Sequence, residues 1–176
     1  MTNKPIQDEI VQAVNVIKKL PRGLLPRELF YAISEKIVIP AIEICPVRMN
    51  KGKVEFLLSR RPIDDPYWPN AWHIAGVILL ASDKEGTYED AFQRILDNEF
   101  RGVLLFEDSP QFVMANFFED GRGRAFDRVY FLEILNEAVD LGDAEFFSND
   151  NLPNTLLEHY YDVLKKIEGA YLEYKK

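Results

Sequence analysis

The side chains whose types and spacing suit chemistry fall into a few short stretches. In EGTYEDAFQRILDNEF (residues 85–100), positions 95, 98 and 99 share one face of any helix formed there, because helical neighbours lie three and four apart. That face presents Ile95, Asn98 and Glu99. A single carboxylate binds a divalent cation poorly unless a ligand brings further oxygens, as phosphates do for magnesium. Arg94 sits inside the same segment beside acids, where it reads either as an ion-pairing residue that orders a neighbouring loop or as a functional cation. Arg60 and Arg61 end an apolar run and have the fork geometry that holds phosphate bidentately. Tyr67, Trp68 and Trp72 can stack on a base or pack as a small satellite core. The histidines are His73 and His159, and Glu119, Asp120 and Asp127 flank a glycine- and arginine-rich stretch as loop acids or as candidates for acid–base work. The single Cys45 lies in the apolar run IPAIEICPV and reads as a small buried hydrophobe.

These residues need elements to position them. PIQDEIVQAVNVIKKL places Ile6, Ile10, Val14 and Ile17 three and four apart, the pattern of an amphipathic helix, and LPRELFYAISEKI repeats it with Leu29, Phe30, Ile33 and Ile37. KIVIPAIEICPVRM and KVEFLLSRR are rich in β-branched residues and flank the turn-forming Asn50-Lys51-Gly52, so they read as paired strands. RRPIDDPYWPNAWHIAG carries three prolines and reads as a shaped loop entering a short strand, His73 to Leu79. A helix follows with Thr87 as N-cap and Ala91, Phe92, Ile95 and Leu96 as its apolar stripe. QFVMANFFE and RVYFLEILN read as strands joined by a flexible EDGRGRAFD. The chain closes with a helix from near Pro153 bearing Leu156, Tyr160, Leu164 and Ile167.

Composition narrows the functional classes. With 176 residues, 47% hydrophobic and 12% aromatic, the chain is expected to fold throughout around one ordinary core. Its 29 acids against 21 bases give a net charge of −8, a field that repels polyanions and argues against long nucleic acid as a partner. A small phosphate ester remains compatible, since local arginines or a bound cation reverse the potential inside one cleft. No apolar run approaches the length of a bilayer span, and the first residues lack a signal peptide's basic start and apolar stretch, so no membrane association and a cytoplasmic location are expected.

LLSRRPIDDPYWPNAWHIAGV, the helix EGTYEDAFQRILDNEF, further strands and FFSNDNLPNTLLEHY resemble, in that order, the Nudix hydrolases over about residues 38–167. Leu57, Leu58 and Arg61 match a Leu-Leu-x-x-Arg-like strand end. Trp72 and Gly76 match a Trp before a Pro-Gly-Gly turn in which Ala75 and Val77 replace the proline and one glycine. FFSNDNLP is similar to the family's Trp-Phe-x-x-Asp-x-Leu-Pro. Within the Nudix box, Arg94, Leu96 and Glu99 fit, while Ile95 and Asn98 replace glutamates and Gly102 comes one place late. The stretch from Gly76 to the helix is longer than the box allows, which leaves Glu85 and Glu89 nearest to its first glutamate. GDP-mannose mannosyl hydrolases are similar in lacking the glutamate after the arginine and in a phrase like TYEDAFQRIL. The histidine those enzymes carry after the box has no counterpart in NFFEDGRGRAFDRVYF.

The resemblance implies an α+β fold, a Nudix α/β/α sandwich with a mixed β-sheet over residues 38–176, preceded by a helical N-terminal extension at 1–37. It implies Mg2+-dependent (Mn2+ as a substitute) hydrolysis of a nucleoside diphosphate linked to another group, nucleotide sugars favoured. The alternative it leaves is a binding module that recognises a nucleotide-like ligand or a protein without cleaving it. Glu99 and Arg94 take catalytic positions, Glu99 and the Gly76 carbonyl would hold metal with a bound pyrophosphate, and Arg61, Trp72 and Asp127 would contact substrate. A homodimer is also implied. If Ile95 borders such a metal site, Ile95→Glu would restore a second carboxylate about one turn from Glu99.

Overall fold

The run from Val38 to Asn50 forms one long strand, β1, and its two edges organise the rest of the sheet. The computed structural model describes residues 4–101, 104–106, 108–135 and 141–176. β1 turns back into β2 (Lys53–Arg60) through Lys51 and Gly52, whose φ values of 48° and 79° are those a two-residue hairpin loop requires. After the proline-rich loop come β3 (Trp72–His73) and β4 (Ala75–Ile78), so the expected strand from His73 to Leu79 is two short strands. β3 pairs with β2 and β4 with β1, and the chain therefore crosses at Ile74 from one ladder to the other.

β5 (Gln111–Asp120) and β6 (Gly123–Glu133) form a tight hairpin, and β6 then runs parallel to β1 from Val38 opposite Arg124 to Val47 opposite Glu133. The expected flexible EDGRGRAFD is thus mostly strand. Asp120 explains the turn: its Oδ1 accepts the Arg122 N–H at 2.7 Å, the local bond that lets an Asp close a chain reversal. β7 (Ala144–Phe147) adds to β2, completing a seven-stranded mixed sheet.

Alternation along the strands loads both faces. Cys45, Val47, Phe56, Leu58, Val129 and Phe131 face α4 (Tyr160–Tyr174), whose Leu164, Ile167 and Tyr171 are fully buried. Ile42, Ile44, Leu57, Tyr130 and Leu132 face α3 (Glu89–Phe100) and its Ala91, Ile95, Leu96 and Phe100. Helix, sheet and helix make the expected α/β/α sandwich. α4 starts at Tyr160, later than Pro153, although Leu156 is in the core. Thr87 is not the cap of α3. Tyr88 holds that position without a side-chain bond, and acids tie the preceding loop instead, Asp83 accepting from Leu80 N–H at 2.8 Å and Asp90 from Lys84 N–H at 2.7 Å. Gly102 and the end of the RVYFLEILN segment, Asn136, lie outside the described residues.

Of the N-terminal helices, α1 (Lys4–Ile17) keeps Ile6, Ile10, Val14 and Ile17 exposed, whereas α2 (Arg27–Ser34) docks on the β5–β6 hairpin. Ser34 is buried with its Oγ 3.0 Å from the Arg122 carbonyl, and Gly123, at φ 136°, leaves no room for a Cβ, which would stand 2.3 Å from the Ser34 carbonyl oxygen.

Ile95 does not border a cleft: it has no exposed surface and packs with Ile42, Leu57, Phe100 and Leu132. Ile95→Glu therefore places a carboxylate in the core, not beside Glu99. It is expected to lower unfolding free energy by about 3–5 kcal/mol in chemical denaturation, and a variant as stable as the parent would overturn this placement.

Candidate functional site

A two-part cleft opens where the chain crosses between ladders at Ile74. Arg61, His73, Gly76 and Arg122 line both parts.

The outer part gathers Arg60, Arg61, Arg101 and Arg122 around Asn98, Glu99 and Asp143, the only stretch of α3 reaching it being its last turn. Two acids brace the arginines. Asp65 Oδ2 takes both Nε and Nη2 of Arg61 at 2.9 and 2.6 Å, while Asp65 Oδ1 takes the N–H groups of Tyr67 and Trp68 at 3.0 and 2.8 Å. Burial would raise the Asp65 carboxyl, but Arg61 and the two backbone donors outweigh it and hold it at about 2. Asp120 similarly takes Arg122 Nη2 at 3.1 Å. The Trp68 ring lies 5.3 Å from the Arg61 guanidinium and 4.7 Å from that of Arg122, so the proline-rich loop holds both cations against one aromatic ring. Glu99 is half-buried; burial pushes its carboxyl upward, partly offset by the Ser59 hydroxyl and the charge of Arg61.

The inner part lies on the α4 side of the sheet. Register sets Glu43 opposite Gly76 on one edge of β1, with Asp127 two residues along β6 from the partner on its other edge, Val129. Glu43 is 6% and Asp127 4% exposed, and their carboxyl groups lie against one another. Burial, reinforced by the neighbouring Asp127 charge, raises Glu43 well above the carboxylate range. Burial raises Asp127 to about 6 against the opposing pull of Arg122. The Tyr160 hydroxyl donates to Glu43 Oε1. Gly76 is glycine for a steric reason: a Cβ there would stand 3.0 Å from both Glu43 Cγ and the Ile42 carbonyl oxygen.

Of the residues singled out in the sequence, Glu99, Arg61 and Gly76 meet in the outer cleft, and Asp127 lies in the inner one. Arg94 does not reach either. It donates to both oxygens of Asp83, one at 3.0 Å, and to the Ile78 carbonyl at 3.1 Å, fastening the loop after β4 across α3, which corrects its expected place in the site. Trp72 is core, 8% exposed and edge-on to Phe147 with centroids 4.9 Å apart, and lines neither part, which corrects its expected place against substrate. His73 is neutral, its pKa lowered to about 3 chiefly by burial, and its Nδ1 donates to the Ile74 carbonyl at 2.8 Å. His159 stacks on Phe118 at 4.6 Å, and Cys45 is fully buried. Sequence reasoning missed Glu43, Arg122 and Tyr160. Glu43 carried a signal, being the one acid in an otherwise apolar strand run; Arg122 carried none, because only the hairpin brings it to the cleft.

No protein-family model matches the chain, and no curated protein matches it. Solved structures do. The Nudix domain of Shewanella oneidensis NrtR, solved with ADP ribose, is similar at TM-score 0.61 and 12% identity over 84% of this chain and 99% of that one. Caenorhabditis elegans Ap4A hydrolase gives 0.58 and 18% over 77% and 99%. A mutT/nudix family protein from Listeria innocua gives 0.55 and 19% over 77% and 94%. The chain thus has the Nudix fold. NrtR has also been solved with a 27mer DNA, and there the similarity spans 58% of that chain, so the fold occurs in a DNA-binding protein and does not by itself exclude nucleic acid. Among the described residues no helix is long and apolar enough to cross a membrane.

The inner carboxyls predict a pH signature. A carboxyl raised on folding contributes stability that is fully present below its unfolded value near 3.8 and is lost as pH rises through about 6. Asp127→Asn removes that component. Unfolding free energies of parent and variant measured from pH 4 to 7 should diverge in the variant's favour as pH rises, and parallel curves would contradict the raised Asp127.

Proposed function

We propose that the protein is a Nudix-type hydrolase of a nucleoside diphosphate linked to another group, with a nucleotide sugar or ADP-ribose-like compound as the ligand class. The observation that carries this reading is the convergence of Arg60, Arg61, Arg101 and Arg122 on one cleft in a chain of net charge −8. The whole-molecule field opposes anions, so four cations at one place argue for an anionic ligand there. Arg61 and Arg122, pre-oriented by Asp65 and Asp120, lose little freedom when they take phosphate oxygens. ADP ribose, solved in one protein of the same fold, and Ap4A, for which a hydrolase of the same fold is named, are of this chemical class.

A divalent cation fits only in part. Glu99 and Gly76 line the same part of the cleft, but among the described residues no three His, Cys, Asp or Glu side chains come together as ligands. Mg2+ would supply charge neutralisation and polarisation of the diphosphate, with Glu99 as its protein carboxylate and phosphate oxygens filling the rest. Cation affinity should therefore appear only with ligand. A second reading, binding without cleavage, is favoured by one specific observation: Ile95 is core and Asn98 is uncharged, which leaves Glu99 alone on that helix face. The exposed apolar stripe of α1, with Ile6 53%, Ile10 50%, Val14 40% and Ile17 42% accessible, supports a homodimer as part of this proposal; a light-scattering mass of one chain would remove that part.

Calorimetry and product analysis with ADP-ribose and GDP-mannose, with and without Mg2+, test the main reading. Binding and Mg2+-dependent turnover are expected, and Glu99→Gln should lower turnover by about 100-fold while leaving the melting temperature unchanged. Binding without turnover in either metal state would establish the second reading, and absence of binding would reject both.

A further inference from the structure

We infer that the inner cleft is a slot for an amino-substituted nitrogen heterocycle, the base of the nucleoside ligand, whose amino N–H is received by Asp127. The inference rests on the diphosphate reading of the outer cleft and adds to it the part of the ligand that would sit deeper.

Asp127 Oδ1 is buried and has no hydrogen-bond partner among the described residues, in a side chain 4% exposed that lines the inner cavity. Buried carboxylate oxygens are almost always met by a donor, because an unmet one forfeits its hydration without return. No side chain among the described residues donates to this oxygen. Tyr160 donates to Glu43, Arg122 to Asp120, Arg61 to Asp65 and Arg124 to Glu119. The oxygen is thus an unmet acceptor in a side chain that lines a cavity, and its natural complement is a donor carried by a ligand.

The surroundings select among donors. Arg61, Arg122 and Arg124 line the same cavity, so an ammonium or guanidinium would enter beside three like charges. Ile39, Ala41, Ile78 and Ala125 make much of the remaining wall, which suits a flat, neutral group. Glu43, held neutral by burial, directs its proton to Asp127 and accepts from Tyr160, so it turns no free donor toward an oxo group. An exocyclic amino group, as on adenine or cytosine, satisfies this arrangement, whereas the oxo group of hypoxanthine or uracil at the same position turns an acceptor toward an acceptor. The shared lining of Arg61, His73, Gly76 and Arg122 makes the slot continuous with the arginine-rich part, so a base inside and a diphosphate outside can belong to one molecule.

The test compares matched nucleotides that differ only in that group. Dissociation constants for ADP against IDP, and for CDP against UDP, are measured by calorimetry on the full chain, with inorganic pyrophosphate as a ligand that has no base. The parent protein is expected to bind each amino nucleotide at least about tenfold more tightly than its oxo partner, and Asp127→Asn, which presents an amide N–H as well as an oxygen, to shrink both ratios to about threefold or less. Equal affinities within both pairs in the parent protein would overturn the slot, and that comparison stands even if Asp127→Asn fails to fold. Preserved ratios in a folded Asp127→Asn protein would overturn the role of Asp127. If pyrophosphate binds and the nucleotides do not discriminate, the diphosphate reading survives without the slot; if neither pyrophosphate nor any nucleotide binds, both fall together.

Discussion

Strand β1 has two edges and three partners, and most of the molecule follows from how it divides them. One edge is taken along its length by β6 in parallel. The other is taken first by β4, from Ala41 to Ile44, and then by β2, from Val47 to Asn50. Because β4 and β2 follow one another along the same edge, the chain must leave one ladder and join the next at Ile74, and the cleft opens at that crossing. At this crossing the approach is tight at Gly76, where a Cβ would stand 3.0 Å from Glu43 Cγ and from the Ile42 carbonyl oxygen. The Gly76 position that the resemblance assigns to a phosphate-handling turn is thus also required by packing.

Charge is arranged by local bracing in an acidic molecule. Arg61 rests on Asp65, Arg122 on Asp120 and Arg94 on Asp83, each with its acid a few residues away or across one loop. Such pairs order a cation without spending the rest of its fork of donors. The first two leave their arginines in the cleft and the third does not, which is why residues of the same type have different roles. Asp83 is held below its ordinary range mainly by the Arg94 bond, so that clamp is ionic at neutral pH.

The periodicities that define the layers were readable in the sequence, since apolar alternation in β1 and β2 and the helical stripes of α3 and α4 are single-element properties. Glu99, Arg61 and Gly76 were also readable, because a family phrase places them. Three features were not. Ile95 belongs to the stripe starting at Ala91, and the choice between core and cleft depends on how α3 rolls against Ile42 and Leu132. Trp72 lies in a loop-like phrase, yet backbone bonds between Trp72 and the Thr155–Leu157 segment draw it into the core. Arg122 and the Glu43–Asp127 contact depend on strand register, which joins residues distant in sequence and leaves no local pattern.

The parallel pairing of β1 with β6 has a kinetic side. It brings Val38 to Arg124 and Val47 to Glu133, so no short segment can prefigure it. The two hairpins, β1–β2 and β5–β6, close over loops of only a few residues and can form early. Their docking must then close a long loop before it is rewarded, the situation in which folding is slow. Glu43 stands on the first hairpin and Asp127 on the second, so the inner cleft does not exist in either piece and appears only at that late step. A ligand seated there would bind the completed fold alone, and occupancy would act on the unfolding rate of the molecule as much as on its chemistry.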